Sequence, residues 1–239
     1  MIVREDSMTT VAILCGGQGT RLYPFTKTNP KALVPVGGRP LLDYTLEHCK
    51  KQGFTDIVLC EGNLADRLQE YVGDGSRYGL NIKHVVESTP LGTAGALKNA
   101  RQYLSNPTIV FQGDLYITTD MRKLVDAHKT AITMLVNNTH HPSGCDLVEL
   151  DGRVVTRRYF PNFGEEFSAP GSAGIYVIDP AILDSLPEGN TNLEDDLVAN
   201  YIPKRQVLAY STEEYVKDVG TPERLKEAEN YLLSQKLTR

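Results

Sequence analysis

Tryptophan is absent from the sequence, cysteine occurs only four times, and no apolar run is long enough to span a membrane. The cysteines form no Cys-x-x-Cys pair and have no histidine at metal-ligand spacing; they are Cys15, Cys49, Cys60 and Cys145. This spacing excludes a disulfide framework and a structural zinc site. We therefore expect reduced, mostly buried thiols in a reducing compartment.

The first ten residues are polar and charged, and they lack the apolar stretch of a signal peptide. Because neither a signal peptide nor a membrane span is predicted, we expect a cytoplasmic protein with no membrane partner. Residues 1–7 precede the first predicted strand and are expected to form a loose extension.

An excess of positive charge is also missing. The chain of 239 residues has 25 lysines and arginines against 30 aspartates and glutamates, a formal net charge of -5. A nucleic-acid-binding protein would be expected to have a basic stripe, so DNA and RNA are excluded as partners. A small anionic ligand in a local basic pocket remains compatible with this balance.

Short apolar runs alternate with amphipathic segments along most of the chain. Strands are predicted over 11–14, 57–60, 82–86, 108–111, 131–136, 174–178 and 207–210. Helices are predicted over 40–53, 63–72, 93–104 and 120–128, and from Thr221 onward. Alternation of this kind predicts a three-layer α/β/α fold with a mostly parallel, doubly wound, Rossmann-like sheet.

One region breaks the alternation of strands and helices. Asp151-Gly152 stands between two short apolar runs within 148–155, which is the signal of a type I′ hairpin. We predict a small β-rich insertion over 139–172 within a single domain of residues 1–239. The length suits one large α/β domain.

A glycine-rich loop follows the first predicted strand, with glycines at 16, 17 and 19. Glycines in this position allow backbone N–H groups to approach phosphate oxygens closely. By themselves they leave three uses open, namely a dinucleotide-binding turn, a P-loop and another kind of triphosphate cradle.

Prolines separate these three uses. The dinucleotide turn and the P-loop both lead directly into a helix, but Pro24, Pro30 and Pro35 follow the glycines here. Each interior proline would cost a helix about 3 kcal/mol, and no Gly-Lys-Ser/Thr is present. What remains is a long irregular loop carrying Arg21 and Lys31, and loops of this length are usually functional.

The loop and several later segments resemble those of the sugar-phosphate nucleotidylyltransferases. The motifs are Gly16-Gly-Gln-Gly-Thr-Arg-Leu22, Pro30-Lys-Ala-Leu-Val-Pro-Val36, Pro90-Leu-Gly-Thr-Ala-Gly-Ala-Leu97, Gly113-Asp114, Ser172-Ala-Gly-Ile-Tyr176 and Asp218-Val-Gly-Thr-Pro-Glu-Arg-Leu225. The resemblance extends from Val11 to about Leu233. The Leu91–Gly95 loop and the short C-terminal end are most similar to the mannose-1-phosphate and D-glycero-D-manno-heptose-1-phosphate guanylyltransferases.

The resemblance implies transfer of a nucleotidyl group to a sugar 1-phosphate, with release of pyrophosphate and with GTP as the favoured donor. A phosphate monoester has its second pKa at about 6, so the attacking oxygen is already ionised and needs no general base. Catalysis then consists of charge neutralisation and alignment. Thymidylyl, uridylyl and cytidylyl transfer remain alternatives, as does a non-catalytic homologue that binds sugar nucleotides.

The resemblance also implies residue roles. Arg21, Lys31 and Asp114 would be catalytic, and Asp114 and Asp218 would hold Mg²⁺. The nucleotide would contact Leu14, Gly16, Gly17, Gly19, Thr20, Glu87, Pro90, Gly92 and Thr93. Glu87 would accept hydrogen bonds from the amino edge of guanine or cytosine; the alternative is a strand-end glutamate in water.

The sugar side departs from the family pattern. Many relatives carry Glu-Lys-Pro with the lysine on the sugar phosphate, whereas this chain has Arg157-Arg-Tyr-Phe-Pro161. We expect Arg157 or Arg158 to bind the phosphate, since a guanidinium can do so bidentately; the alternative is two surface charges. Ser172, Gly174 and Glu194 are also assigned to the sugar side, although for Glu194 the pattern favours a solvated helix face. Relatives often form dimers or tetramers, so a homo-oligomer is left open.

Overall fold

The computed structural model of the chain describes residues 9–137, 146–160 and 169–237. The predicted extension over 1–7 and the parts of the predicted insertion at 139–145 and 161–168 lie outside the described residues.

The described residues form thirteen strands, of which nine belong to one sheet. In chain order they are β1 Thr10–Leu14, β2 Pro35–Val36, β3 Arg39–Pro40, β4 Asp56–Glu61, β5 Asn81–Val86, β6 Thr108–Gln112, β7 Leu115–Ile117, β8 Ile132–Asn137, β9 Leu147–Asp151, β10 Val154–Tyr159, β11 Gly171–Ile178, β12 Val207–Ser211 and β13 Val216–Asp218. The small pairs β2–β3 and β7–β13 stand outside the main sheet.

The α-helices are α1 Leu41–Lys51, α2 Ala65–Val72, α3 Gly92–Asn99, α4 Met121–Asp126, α5 Ala199–Tyr201 and α6 Pro222–Leu237. Asp120 caps α4 by accepting hydrogen bonds from the N–H groups of Arg122 and Lys123. The helix predicted over 93–104 is shorter than expected, because a 3₁₀ turn at Arg101–Tyr103 replaces its last turn. A π-helical turn at Leu193–Val198, which no pattern in the sequence predicted, precedes α5.

The main sheet has the order β5-β4-β1-β6-β11-β8-β12-β10-β9. Strands β5, β4, β1 and β6 are parallel neighbours, as are β8 and β12. The Rossmann-like α/β prediction is confirmed, with one difference: β11 runs antiparallel between β6 and β8. The physical reason is that β11 follows the β9–β10 hairpin, whereas a parallel strand needs a crossover connection such as a helix.

The predicted hairpin is confirmed, since β9 and β10 pair antiparallel with Asp151 opposite Val154. Its turn residues are therefore Gly152 and Arg153. Gly152 has φ +60° but Arg153 has no positive φ, so the predicted type I′ turn, which needs both, is wrong. Val154 of β10 pairs with Leu208 of β12, and Leu147 of β9 pairs with Gly171 of β11. The hairpin therefore bridges two strands of the main sheet and places its side chains beside the start of β11.

Hydrophobic side chains fill both faces of the sheet, with Phe111 buried on one face and Tyr176 on the other. A third cluster packs α6 against the β7–β13 pair through Tyr116, Val219 and Leu232. This third cluster fixes the start of α6 beside the carboxyl end of β13.

Candidate active site

The glycine-rich loop contains three short 3₁₀ turns, at Thr20–Leu22, Phe25–Lys27 and Lys31–Leu33. No longer helix forms within this loop, as the proline pattern predicts. Gly19 has φ +62°, and a methyl group there would lie 3.1 Å from Cγ2 of Thr26 and 3.2 Å from Cβ of Lys31. Thr26 Oγ1 also donates to the Gly19 carbonyl at 2.7 Å. Glycine at this position therefore allows the loop to fold back and bring Lys31 beside its first turn.

The inner side of the loop packs on the neighbouring strands. Gly113 N–H donates to the Leu14 carbonyl at 2.9 Å, and the Gly16 carbonyl accepts from Asn63 N–H at 3.4 Å. Gly17 and Thr20 are exposed instead, and no heavy atom lies within 4 Å of a methyl group built at Gly17. The loop therefore has an open side on which a ligand can lie.

Glu87 lies between the glycine-rich loop and the Pro90 loop. Its Oε2 accepts from Leu91 N–H at 3.0 Å, and its Oε1 would be 3.1 Å from a methyl group at Gly16 and 2.4 Å from one at Gly62. Both glycines leave room for this carboxylate. Glu87 thus lies against the glycine-rich loop and is only partly exposed.

The Pro90–Gly95 segment packs against residues 190–193, where the π-helical turn begins. Gly92 has φ +71°, and a methyl group there would lie 2.4 Å from the Thr191 carbonyl oxygen. Thr93 Oγ1 accepts from Leu193 N–H at 2.7 Å, and Asn190 donates to the Pro90 carbonyl at 3.3 Å. These contacts connect the predicted nucleotide side of the site to the predicted sugar side.

The two predicted metal carboxylates are brought together by the β7–β13 pair. Asp218 stands opposite Leu115 in this ladder, and Val219 N–H donates to the Asp114 carbonyl at 2.9 Å. A methyl group at Gly113 would lie 2.5 Å from the Leu14 carbonyl oxygen, so only glycine allows this close approach to the end of β1.

The predicted catalytic cations, Arg21 and Lys31, lie beside Asp114 and Asp218. Lys31 Nζ forms an ion pair with Asp114 Oδ2. A methyl group at Gly220 would lie 2.9 Å from Asp218 Oδ1, 3.0 Å from Arg21 Nη2 and 3.3 Å from Lys31 Nζ. Within the described residues Arg21 has no carboxylate partner. The structure therefore gathers the four side chains around Gly220.

The donor set around Gly220 fits Mg²⁺. Among the residues that the structure describes, no three acidic, histidine or cysteine side chains come together as a metal cluster. Mg²⁺ is commonly held by one or two carboxylates together with substrate phosphates and water, rather than by a complete protein cage. Asp114 and Asp218 match this requirement.

A cleft of about 860 Å³ opens beside Asp114 and Asp218. Its lining includes predicted sugar-side residues, namely Arg158, Ser172, Gly174 and Glu194. Arg157 is not part of this lining: its side chain is 65% exposed, binds Glu149 at 3.1 Å and lies over the ring of Tyr159. Since neighbouring residues of a strand point to opposite faces, only one of the two arginines reaches the cleft.

Arg158 is engaged at both ends of its guanidinium. It binds Asp146 through Nη1 and Asp195 through Nη2, and its side chain is only 13% exposed. Burial raises the pKa of the Asp146 carboxyl, while Arg158 acts in the opposite direction. The charge of Arg158 is therefore already matched by two carboxylates.

Glu194 lies in the cleft and not on a solvated helix face. Its Oε1 accepts from Gln112 Nε2 at 3.0 Å and from the Tyr176 hydroxyl at 3.1 Å, and the latter hydroxyl is 3.0 Å from Ser172 Oγ. Burial raises the pKa of the Glu194 carboxyl. Gly174 has φ +73°, and a methyl group there would lie 3.2 Å from Cδ of Gln112.

Three further cleft residues were not singled out from the sequence. Gln112 ends β6 directly before Gly113-Asp114, Lys217 lies in β13 and forms an ion pair with Glu227, and Arg224 lies in the first turn of α6. Arg224 Nη1 donates to both carboxylate oxygens of Asp218, at 2.8 and 2.9 Å. The only sequence signal for Arg224 is its position inside the motif that begins at Asp218.

The chain is similar to known proteins over most of its length. A family model described as nucleotidyl transferase matches residues 10–235. A mannose-1-phosphate guanyltransferase of Debaryomyces hansenii is 32% identical over 228 residues, covering 88% of this chain and 60% of the relative. A glucose-1-phosphate thymidylyltransferase of Streptomyces antibioticus is 37% identical over 181 residues, covering 73% of this chain and 50% of the relative. The chain thus spans only 60% and 50% of the length of these relatives.

Among solved structures, HddC from Yersinia pseudotuberculosis complexed with GMP-PN is similar to this chain. The TM-score is 0.80 at 26% sequence identity, and the match covers 94% of this chain and 100% of HddC. The likeness therefore includes the whole of that protein chain.

Proposed function

The chain belongs to the nucleotidyl transferase family, and we propose that it transfers a nucleotidyl group from a nucleoside triphosphate to a sugar 1-phosphate, releasing pyrophosphate. The observation that carries this proposal is the meeting of Arg21, Lys31, Asp114 and Asp218 around Gly220. This point lies between the open glycine-rich loop and the cleft of about 860 Å³. A triphosphate on the loop and a sugar phosphate in the cleft would therefore meet there.

The proposed mechanism requires the phosphate oxygen of the sugar 1-phosphate to attack the α-phosphorus in line with the leaving pyrophosphate. The exposed Arg21 and the ammonium of Lys31 donate to the phosphate oxygens and offset the charge that develops during transfer. Bound Mg²⁺ supplies further neutralisation of the triphosphate charge, and Asp114 and Asp218 are the residues that would hold it. Because the nucleophile is ionised near neutral pH, no side chain has to remove a proton.

The residues of the glycine-rich loop and of the Pro90 loop are proposed to bind the nucleotide. They are Leu14, Gly16, Gly17, Gly19 and Thr20 with Glu87, Pro90, Gly92 and Thr93. Ser172, Gly174, Glu194 and Arg158 are proposed to contact the sugar. The contacts between Thr93 and the segment at 190–193 support a coupling of the two subsites.

GTP is proposed as the donor and a mannose- or heptose-type 1-phosphate as the acceptor. Two observations support guanine, namely the Debaryomyces relative that is named a guanyltransferase and the GMP-PN in the HddC structure. Glu87 adds a physical argument, because Leu91 N–H occupies Oε2 and leaves Oε1 to accept from a guanine N–H group. The Streptomyces thymidylyltransferase keeps thymidylyl transfer as the alternative.

A soluble cytoplasmic enzyme acting on small molecules fits this proposal, and a homo-oligomer stays a prediction. Among the helices of the described ranges, none has both the length and the apolarity of a membrane span.

The proposal is tested by assaying pyrophosphate release for four triphosphates against several sugar 1-phosphates in the presence of Mg²⁺. We expect the highest rate with GTP and α-D-mannose 1-phosphate or a heptose analogue. A different preferred triphosphate would overturn the guanine assignment alone. Binding of a sugar nucleotide without pyrophosphate release for any pair would instead indicate a non-catalytic homologue.

Glu87→Gln tests the role of Glu87 within the same assay. Losing the acceptor oxygen should lower kcat/KM for GTP by roughly tenfold more than for UTP, whose base has no amino group, the effect of about one charged hydrogen bond. Glu70→Gln is the matched control, because Glu70 is an exposed glutamate outside the site. An equal loss for all triphosphates would remove Glu87 from base recognition.

A further inference from the structure

We propose that Arg224 binds the phosphate of the acceptor sugar 1-phosphate, the role for which this chain lacks the lysine of the Glu-Lys-Pro motif. The inference rests on the proposed function, since it concerns the acceptor of that reaction. The inference goes beyond the proposed function because it assigns phosphate binding to a residue of α6 instead of to the β10 arginines.

Few positively charged side chains of the cleft are available to bind the acceptor phosphate. Its cationic side chains in the described part of the chain are Arg21, Arg158, Lys217 and Arg224. Arg158 is held by two carboxylates on the sugar side, and Lys217 is paired with Glu227. Arg21 lies at the glycine-rich loop, where the triphosphate is proposed to bind. Arg224 is paired as well, with Asp218, but through one nitrogen only, so it is the remaining candidate.

The geometry of Arg224 suits a phosphate. In the described residues the guanidinium donates hydrogen bonds through Nη1 alone, and both go to Asp218. Nε and Nη2, which form one edge of the planar guanidinium, are therefore left to donate as a fork to two oxygens of a phosphate. Lys217 could offer only a compact point charge, and its ion pair already uses it.

The position of Arg224 also agrees with this role. Asp218, its partner, is one of the two carboxylates beside the reacting phosphates, and a guanidinium bound to Asp218 therefore stands next to the reaction centre. From the same helix Glu227 and Asn230 line the cleft, so this face of α6 is turned toward the acceptor. An acceptor phosphate at Arg224 would lie within reach of the α-phosphorus.

The backbone around Arg224 is fixed independently of any ligand. Its N–H donates to Thr221 Oγ1 at 3.3 Å, which caps the start of α6. The helix is anchored by the cluster of Tyr116, Val219 and Leu232. The guanidinium is therefore presented from a rigid element that lines the cleft, and 18% of the side chain is exposed.

The test compares Arg224→Gln, Arg224→Lys, Arg158→Gln and the surface control Arg67→Gln. Steady-state pyrophosphate release gives the Michaelis constants for α-D-mannose 1-phosphate and for GTP. Calorimetric titration with α-D-mannose 1-phosphate and with free mannose measures the contribution of the phosphate to binding without turnover. Binding of a fluorescent GTP analogue with Mg²⁺ reports whether Asp218 and the donor side are intact.

For Arg224→Gln we expect the Michaelis constant for the sugar phosphate to rise roughly 10- to 100-fold, the range for a lost charge-assisted contact. The affinity for the GTP analogue should stay within about twofold. Arg224→Lys, which keeps the charge but not the fork, should lie between wild type and Arg224→Gln. If Arg224→Gln does not fold, Arg224→Lys decides by the same measurements.

Three results would overturn the inference. One is an unchanged Michaelis constant for the sugar phosphate in Arg224→Gln. Another is a rise of this Michaelis constant in Arg158→Gln alone. The third is an equal weakening of sugar phosphate and GTP analogue, which would make Arg224 a positioning residue for Asp218. If wild type releases no pyrophosphate, the proposed function fails, and the calorimetric difference between mannose 1-phosphate and mannose still decides the role of Arg224.

Discussion

Lys31 and Asp114 form an ion pair although 83 positions separate them in the chain. Lys31 is carried by the last 3₁₀ turn of the glycine-rich loop, and Asp114 follows the end of β6 after Gly113. Their side chains are 17% and 16% exposed, so the pair is partly shielded but remains open to a ligand. The pair connects the loop to the carboxyl edge of the sheet, which is where open α/β sheets bind their ligands.

Replacing Lys31 by methionine should lower kcat for pyrophosphate release by roughly 10²- to 10³-fold, because one donor to the transition-state charge is lost. The Michaelis constant for the acceptor should change much less. The matched control is Lys27→Met, since Lys27 lies on the same loop but is exposed and stacks over Tyr23. Comparable losses in the two variants would show that the effect is a loop defect and not a contact to phosphate.

Gly220→Ala should impair catalysis without unfolding the protein. The added methyl group would lie about as close to Asp218 Oδ1 and Arg21 Nη2 as a hydrogen-bonded atom, at 2.9 and 3.0 Å. These side chains must therefore move by a few tenths of an ångström. We expect kcat to fall by at least about tenfold, since misplacement by about 1 Å costs roughly a hundredfold.

Thermal unfolding should show Gly220→Ala within a few degrees of wild type, because the surrounding side chains can shift toward solvent. Gly62→Ala provides a contrast, since its methyl group would meet Glu87 Oε1 at 2.4 Å and should affect the triphosphate alone. A Gly220→Ala enzyme with wild-type kcat would contradict a catalytic role for the charged side chains around Gly220.

His84→Ala should destabilise the fold. The carboxylate of Glu61 is only 1% exposed, and its partners are His84 Nδ1 and the amide of Gln69. Removing a hydrogen-bond partner from a buried group typically costs about 1–3 kcal/mol, and more for a carboxylate, because the group stays out of water without compensation. Urea unfolding at neutral pH measures this difference.

The double variant Glu61→Gln/His84→Ala removes the buried charge and should recover part of the lost stability. This recovery distinguishes an uncompensated carboxylate from a simple packing defect at His84. A double variant less stable than His84→Ala alone would exclude the electrostatic explanation.

Glu194 should make stability depend on pH in a defined direction. Burial raises the pKa of this carboxyl above its ordinary value of 4.5, so the folded state holds the proton more tightly than the unfolded state. Its contribution to stability is therefore fully present below about pH 4.5 and is lost as pH rises through the folded pKa. Glu194→Gln has no such proton to lose.

The free energies of unfolding of wild type and Glu194→Gln should consequently diverge as pH rises from 5 to 8, with the variant gaining relative stability. Urea unfolding at several pH values gives this difference. Glu70→Gln is the control, because Glu70 is exposed on α2. A difference that does not vary with pH would mean that Glu194 titrates normally in the folded protein.

Several features of the fold could be predicted from short stretches of the sequence. The alternation of apolar runs and helices predicted the α/β architecture, and Asp151-Gly152 predicted the β9–β10 hairpin. The prolines after Gly19 predicted a loop without a long helix, which the three 3₁₀ turns confirm. The roles assigned to Arg21, Lys31, Asp114 and Asp218 stay predictions, although the structure places these side chains together.

Other features depend on contacts between distant segments. The antiparallel β11 and the π-helical turn that carries Glu194 have no short-range signal. Hydrogen bonds from the distant Gln112 and Tyr176 hold the Glu194 carboxylate in the cleft. The sequence analysis predicted no strand at Arg157 and Arg158, so their opposite orientations follow from β10 in the structure. Which of them faces the cleft was decided by the pairing of the hairpin with β11 and β12.

The sequence by itself determined where the chain can and cannot form helices and turns, because proline, glycine and hydrophobic period act within a few residues. The tertiary structure alone decided that Asp114, Asp218 and Arg224 meet, because the β7–β13 ladder and the packing of α6 join segments about a hundred residues apart. Charge pairing at such distances along the chain is set by the fold and leaves no periodic pattern in the sequence.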